Sequence, residues 1–145
     1  MFVVDTNILI YAVDSHCQEH QQCRVLLERW KKDLLPWHIT WGILYEFLRV
    51  STHPRVFKTP LSIDQAWRFI ETILTSPSLQ ILTEGQNHAE VAAKTFQEIR
   101  GIRGNLIYDA HTAILMREHG INRICTRDTD FNRFPFLEVF DPMNL

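Results

Sequence analysis

Short apolar runs alternate along the chain with longer stretches whose apolar residues recur every three or four positions. Phe2, Val3 and Val4 are apolar on consecutive residues and end at Asp5, the pattern of a parallel strand covered on both faces. From Thr6 to about Lys32 the spacing is helical with a break near Asp14 to His16, and Val25, Leu26 and Trp30 lie close to one stripe. LPWHIT, Leu35 to Thr40, predicts a second strand. WGILYEFLRV then places Ile43, Leu44, Phe47 and Leu48 at helical spacing, and His53-Pro54 ends that helix. Ser62 and Asp64 are candidate caps for IDQAWRFIETIL, whose Ile63, Ala66, Trp67, Ile70 and Leu74 share a face. LQILT, Leu79 to Thr83, reads as a third strand and HAEVAAKTFQEIR as a helix. A turn at Gly101 to Asn105 resets direction before LIYDAHTAILMREHG, a helix with Gly120 as its C-terminal cap. NRICTRD supplies a fourth strand and LEVFD, Leu137 to Asp141, a fifth.

Strands alternating with helices predict an α/β sandwich with a mainly parallel central sheet of four to five strands flanked by helices. With 145 residues, no Pro/Gly/Ser-rich linker and no internal repeat, residues 1–145 read as one domain with a continuous core. In such sheets ligands bind outside the carboxyl ends of the strands, so acids at strand ends are the ones to weigh. Asp5 follows FVV and Asp128 follows RICTR. Glu46 in ILYEFL and Asp109 in LIYDAHTAIL stand within helices among apolar neighbours, where a lone carboxylate is costly. Each has a plain structural alternative: Asp5 as a helix cap, Glu46 reaching solvent at a helix edge, Asp128 as a turn residue.

Composition narrows the classes. At 46% hydrophobic and 22% charged residues the chain is of ordinary globular type. No apolar run approaches the roughly 20 residues of a membrane span, and the N-terminus lacks the basic and long apolar segments of a signal peptide. The expectation is a cytoplasmic protein with no membrane association, and three cysteines suit a reducing compartment. A net charge of −2 excludes a uniformly basic nucleic-acid-binding body. Nucleic acid would be held by local features, such as the loops His53 to Thr59 and Arg100 to Asn105.

Four acids converging on one sheet edge repel one another unless protons or a cation neutralise them. Mg²⁺ or Mn²⁺ suits an all-oxygen donor set, and acidic clusters without a histidine or cysteine framework point to phosphoryl chemistry. In order and spacing the motifs D-T-N at Asp5, YEFLRV with Glu46 followed by HPRVF, Y-D-A-H at Asp109 and T-R-D-T-D-F at Asp128 resemble those of PIN-domain ribonucleases. Within that group they look most like the VapC-type toxins of bacterial and archaeal toxin–antitoxin pairs, from Phe2 to about Pro142.

The resemblance implies a PIN-like three-layer sandwich. It also implies a metal-dependent endoribonuclease that cleaves RNA by metal-activated water, with Asp5, Glu46, Asp109 and Asp128 as its catalytic and metal-binding acids. By the same match Thr6, Asn7 and Thr126 support the acids through hydrogen bonds, and Asp130 assists through a water or steadies the turn. The partners implied are an RNA substrate, a cognate small antitoxin and a second copy of the chain in a homodimer. Arg49, Arg55, Arg103 or Arg127 would touch backbone phosphates.

Other patterns are weaker. His16, His20 and Cys23 could face one zinc ion from a helix, but match no closed four-ligand set. His111 is turned about 200° from Asp109 along a helix, which suits a structural or surface role. Trp37, Trp41, Trp67 and Phe96 read as core or dimer surface. A dehalogenase-type phosphatase wants an acid where Asn7 stands. A phospho-acceptor receiver domain wants a lysine after the RICT strand, where none occurs. An RNA-processing nuclease that is not a toxin and a non-catalytic RNA-binding module complete the alternatives.

Overall fold

The computed structural model describes residues 1–145. The elements run β1 (Phe2–Val4), α1 (Thr6–Val13), α2 (His20–Lys32), β2 (Trp37–Thr40), α3 (Trp41–Ser51), α4 (Ile63–Leu74), β3 (Leu79–Leu82), α5 (His88–Glu98), α6 (Leu106–Glu118), β4 (Arg123–Cys125) and β5 (Glu138–Phe140). Two 3₁₀ turns, Thr129–Arg133 and Pro142–Asn144, flank β5. All five strands pair in parallel in the order β3-β2-β1-β4-β5. The sheet is thus fully rather than mainly parallel.

Val3 and Val4 are wholly buried, as are all four residues of β2. Neighbouring strand residues point to opposite faces, so both faces of the sheet are covered by helices and the three-layer sandwich follows. An imidazole lies within this core: His38 in β2, whose ring nitrogens meet the Phe2 carbonyl and Gln80 Oε1, each at 3.1 Å. Burial pushes its pKa down, which suits a neutral imidazole.

Local chemistry sets the boundaries. The break after α1 is longer than the spacing predicts, because Asp14 accepts hydrogen bonds from the His16 amide and the Cys17 thiol and turns the chain out of the helix. Ser62 caps α4 in a reciprocal box with Gln65. Gly120, at φ +67°, ends α6 in the left-handed conformation that glycine adopts without strain. β4 is shorter than NRICTRD predicts. It stops at Cys125 because the Thr126 hydroxyl turns inward to Asp5 while the Asp128 carboxylate caps the following 3₁₀ turn. No helix is long and apolar enough to cross a membrane.

The strand order has one functional consequence. From β1 the chain proceeds outward through β2 and β3 on one side, and β4 and β5 occupy the other. The order therefore reverses between β1 and β4, and a crevice opens at the carboxyl ends of those two strands.

Candidate active site

Asp5 is the first residue past β1. It is only 8% exposed, and every oxygen on its carboxylate is used. Oδ1 accepts from the Thr6 amide at 2.7 Å, while Oδ2 accepts from the Thr126 hydroxyl at 2.7 Å and from Asn7 Nδ2 at 3.0 Å. Thr126 also accepts from Asn7 Nδ2 and from the Asp128 amide, both at 2.9 Å. This one hydroxyl therefore ties the tip of β1, the start of α1 and the turn after β4 into a single clamp. The supporting bonds expected of Thr6, Asn7 and Thr126 are all present, since Thr6 Oγ1 donates to Glu46 Oε2 at 3.2 Å. Asp5 is both a helix cap and a wall of the crevice.

The crevice is a cleft of about 620 Å³ whose walls include Asp5, Glu46, Asp109, Asp128 and Asp130. Glu46 comes from α3 and pairs loosely with Arg49 at 3.5 Å. Asp109 comes from the first turn of α6. Asp128 accepts from the Asp130 amide at 2.8 Å, which fixes the turn. One carboxylate oxygen each from Asp109, Asp128 and Asp130 lies within 4.8 Å of the others. An all-carboxylate cluster at that spacing could hold a hard divalent cation, because such ions take oxygen ligands.

Electrostatics agree with that fit. Burial pushes the Asp5 carboxyl up to about 6 even though Thr126 and Thr6 hydrogen-bond its charged form, and Glu46 and Asp128 push it further. Asp109 rises to about 7, first through burial and then through Asp128, Asp5, Glu46 and Asp130. Both acids bind protons more tightly in the metal-free fold than in the unfolded chain. The stability they confer is complete below about pH 4 and is lost as pH rises through about 6 to 7. The melting temperature in chelator should therefore fall across that window more steeply for the wild type than for Asp109→Asn, and added Mg²⁺ should flatten the fall. A wild-type melting temperature that rises across the window relative to the variant's would contradict it.

Other expected residues fall elsewhere. Arg127 is bound to Glu19 and, at 3.2 Å, to Asp141, so it braces the turn after β4 and does not line the cleft. Of the two basic loops, Arg100 to Asn105 contributes only Asn105 to the cleft, and His53 to Thr59 contributes nothing. Arg49 is the one arginine on the cleft wall. His16 precedes α2 and meets Thr59, His20 meets the Tyr11 carbonyl, and Cys23 is buried. The two histidines thus have separate partners and the cysteine lies in the core. Trp37 is wholly buried, whereas Trp41, Trp67 and Phe96 are substantially exposed.

Sequence reasoning passed over Tyr45 and counted Tyr108 among the core-type neighbours of Asp109, yet the two stand on the cleft walls 65% and 69% exposed. Each directly precedes a site acid, and that adjacency was the available signal. His111 lines the cleft as well, because the cleft wraps around the first two turns of α6 and takes in Leu106, Tyr108 and Thr112.

Comparison with known proteins agrees with this geometry. The PIN domain family model matches residues 2–137. Ribonuclease VapC43 of Mycobacterium tuberculosis (strain ATCC 25618 / H37Rv) is 33% identical over 144 residues, covering 99% of this chain and 97% of its own length. Ribonuclease VapC48 of the same strain is 30% identical over 140 residues, 97% of this chain and 96% of its own. Among solved structures, VapBC2 from Rickettsia felis bound to a DNA fragment from its promoter superposes with a TM-score of 0.69 at 20% identity, covering 97% of both chains. VapC20 of Mycobacterium tuberculosis, described as a sarcin-ricin loop cleaving toxin, superposes with a TM-score of 0.65 at 18% identity, covering 96% of this chain and 98% of its own. The two superpositions establish the shared fold, and the family match over nearly the whole chain establishes descent. A parallel sheet with its switch point at β1, acids gathered there and these matches lead to one assignment: the chain belongs to the PIN-domain family, in the company of the VapC ribonucleases.

Proposed function

We propose that this chain, acting as a single PIN-like unit, is a metal-dependent endoribonuclease and the toxin of a toxin–antitoxin pair. The observation that carries the reading is the convergence of Asp5, Glu46, Asp109 and Asp128, from four different elements, on one open cleft. Asp5 and Asp109 are the principal ligands for Mg²⁺ or Mn²⁺, and Glu46 and Asp128 complete the negative wall. Asp130 acts through a water or through the turn it steadies. A bound divalent ion would supply Lewis-acid stabilisation of the charge that builds on a phosphodiester during hydrolysis.

The chain's own groups do the rest. The clamp of Thr6, Asn7 and Thr126 holds the Asp5 carboxylate in one orientation, so no reorganisation is needed as charge develops. Arg49 offers a phosphate contact at the rim. Tyr45 and Tyr108 offer exposed faces on which unpaired bases stack, the usual route to single-stranded or loop RNA. The solved VapBC neighbours, one of them bound to promoter DNA, support a small antitoxin as partner, and the family resemblance implies that a segment of it enters the acidic cleft. On this reading the chain acts as a homodimer in the cytoplasm, as the family resemblance implies.

The test is cleavage of structured RNAs by the purified protein with Mg²⁺ or Mn²⁺, followed by sequencing of the new 5′ ends. Asp5→Asn should abolish cleavage. Its stability at neutral pH should change by no more than about 1 kcal/mol, because relief of a crowded charge is offset by bonds that an amide cannot accept from both Thr126 and Asn7. RNA that is bound but left intact would favour a non-catalytic RNA-binding module, and cleavage unchanged in Asp5→Asn would refute the proposed site.

A further inference from the structure

We propose that Glu84, His88 and His111 form a site for a first-row transition-metal ion, zinc foremost, beside the acidic cleft and different from it in donor chemistry. Glu84 lies just past β3, His88 opens α5 and His111 sits in α6. One donor atom from each lies within 4.8 Å of the others. His111 Nε2 and Glu84 Oε1 are 2.7 Å apart, and the His88 and His111 rings meet edge to face with centroids 5.9 Å apart. Tetrahedral coordination at about 2.0–2.1 Å spaces donors roughly 3.3 Å from one another. Only small side-chain shifts are then needed for an ion to take the place of the proton between His111 and Glu84.

A second observation shows that the cluster is held in readiness. Glu118, only 6% exposed at its side chain, binds His88 Nδ1 at 2.6 Å through Oε2 and accepts the Gly85 amide at 3.1 Å through Oε1. A carboxylate behind a histidine fixes its tautomer and frees the other ring nitrogen to coordinate, an arrangement typical of histidines that bind metals. The three ligand side chains remain partly open, so an ion and one or more waters can reach them. Two imidazoles and one carboxylate favour Zn²⁺, Co²⁺ or Ni²⁺ over Mg²⁺, the reverse of the all-oxygen cleft. Glu84 and His88 do not line that cleft, whereas His111 does. An ion here would tie the segment after β3 to α6 at the cleft's rim, whether or not the cleft cuts RNA.

Chelator-stripped protein titrated with Zn²⁺ against a competing chromophoric chelator, and with Co²⁺ while its visible absorption is followed, tests the site. The expected result is one ion per chain, bound tighter than about 10 µM, with the intense visible bands of low-coordinate Co²⁺. Excess Mg²⁺ should not displace it, and Asp5→Asn and Asp109→Asn should retain it. Glu84→Gln and His111→Gln should lose it, while Glu118→Gln should weaken it about 10- to 100-fold. Glu84 is exposed, so Glu84→Gln decides the matter even where changes at His88 or Glu118 disturb folding. The proposal is overturned by the absence of saturable binding, by binding that survives Glu84→Gln, or by binding that disappears in Asp109→Asn.

Discussion

Asp109→Asn is expected to lower the rate of RNA cleavage about 10³-fold while raising the melting temperature of the metal-free protein at pH 7. Both effects come from one carboxylate. If Asp109 is a principal metal ligand, as proposed, its loss removes several kcal/mol of transition-state charge stabilisation, and each 1.36 kcal/mol is about a factor of ten in rate. The gain in stability comes from the same place. Burial and four neighbouring acids disfavour the charged form of Asp109, and nothing around it donates a hydrogen bond that offsets them. Asparagine has nearly the same shape and no charge, so at neutral pH it removes repulsion at little cost. The contrast with Asp5→Asn is diagnostic, because Asp5 also holds Thr6, Asn7 and Thr126. Single-turnover cleavage assays and thermal melts with and without Mg²⁺ measure both arms. Mg²⁺ should stabilise the wild type more than the variant. A variant that cleaves at the wild-type rate, or that melts lower than the wild type in chelator at pH 7, would sink this account of the cleft.

Thr126→Val should destabilise the protein by about 2–4 kcal/mol, or about 10 °C in melting temperature. The volumes match, so the cost is not a cavity. It is the loss of a hydroxyl that is 1% exposed and makes three hydrogen bonds at 2.7–2.9 Å. Valine leaves the Asn7 amide and the Asp128 backbone N–H without that acceptor and removes a donor from the buried Asp5 carboxylate. A carboxylate short of one donor is harder to ionise, so the fall in stability with rising pH should also steepen. Cleavage should drop about 10- to 100-fold, the usual effect of removing a partner that orients a ligand. Thr126→Ser keeps the hydroxyl and should restore most of both losses. If valine and serine variants melt alike, packing of the threonine methyl governs this position rather than the clamp.

Much of the fold was readable from spacing alone. The apolar run FVV, the helical recurrence in WGILYEFLRV and the cap signals at Ser62 and Gly120 depend on local sterics and short-range hydrogen bonds, which are encoded within a few residues. The element order then limited the topology, since parallel strands joined by helices cross over with one hand. Asp109 was visible for a related reason, because a carboxylate amid Ile107, Tyr108, Ala110, Ala113 and Ile114, all core-type residues by sequence, is costly unless something compensates it, although folding leaves Ile107 and Tyr108 exposed.

Contacts between distant segments were not readable. Arg127 looked like a free phosphate ligand beside Asp128, yet folding brings Glu19 and Asp141 to it and consumes its charge. Tyr45 and Tyr108 were indistinguishable from core aromatics until their exposure was known. The Glu84, His88 and His111 cluster joins three elements whose separation along the chain carries no motif. By itself the sequence determined which elements form, their order and which acids had to meet something charged. The tertiary structure alone decided which polar groups face one another, because hydrogen bonds and ion pairs require contact within a few ångströms and only packing sets those distances.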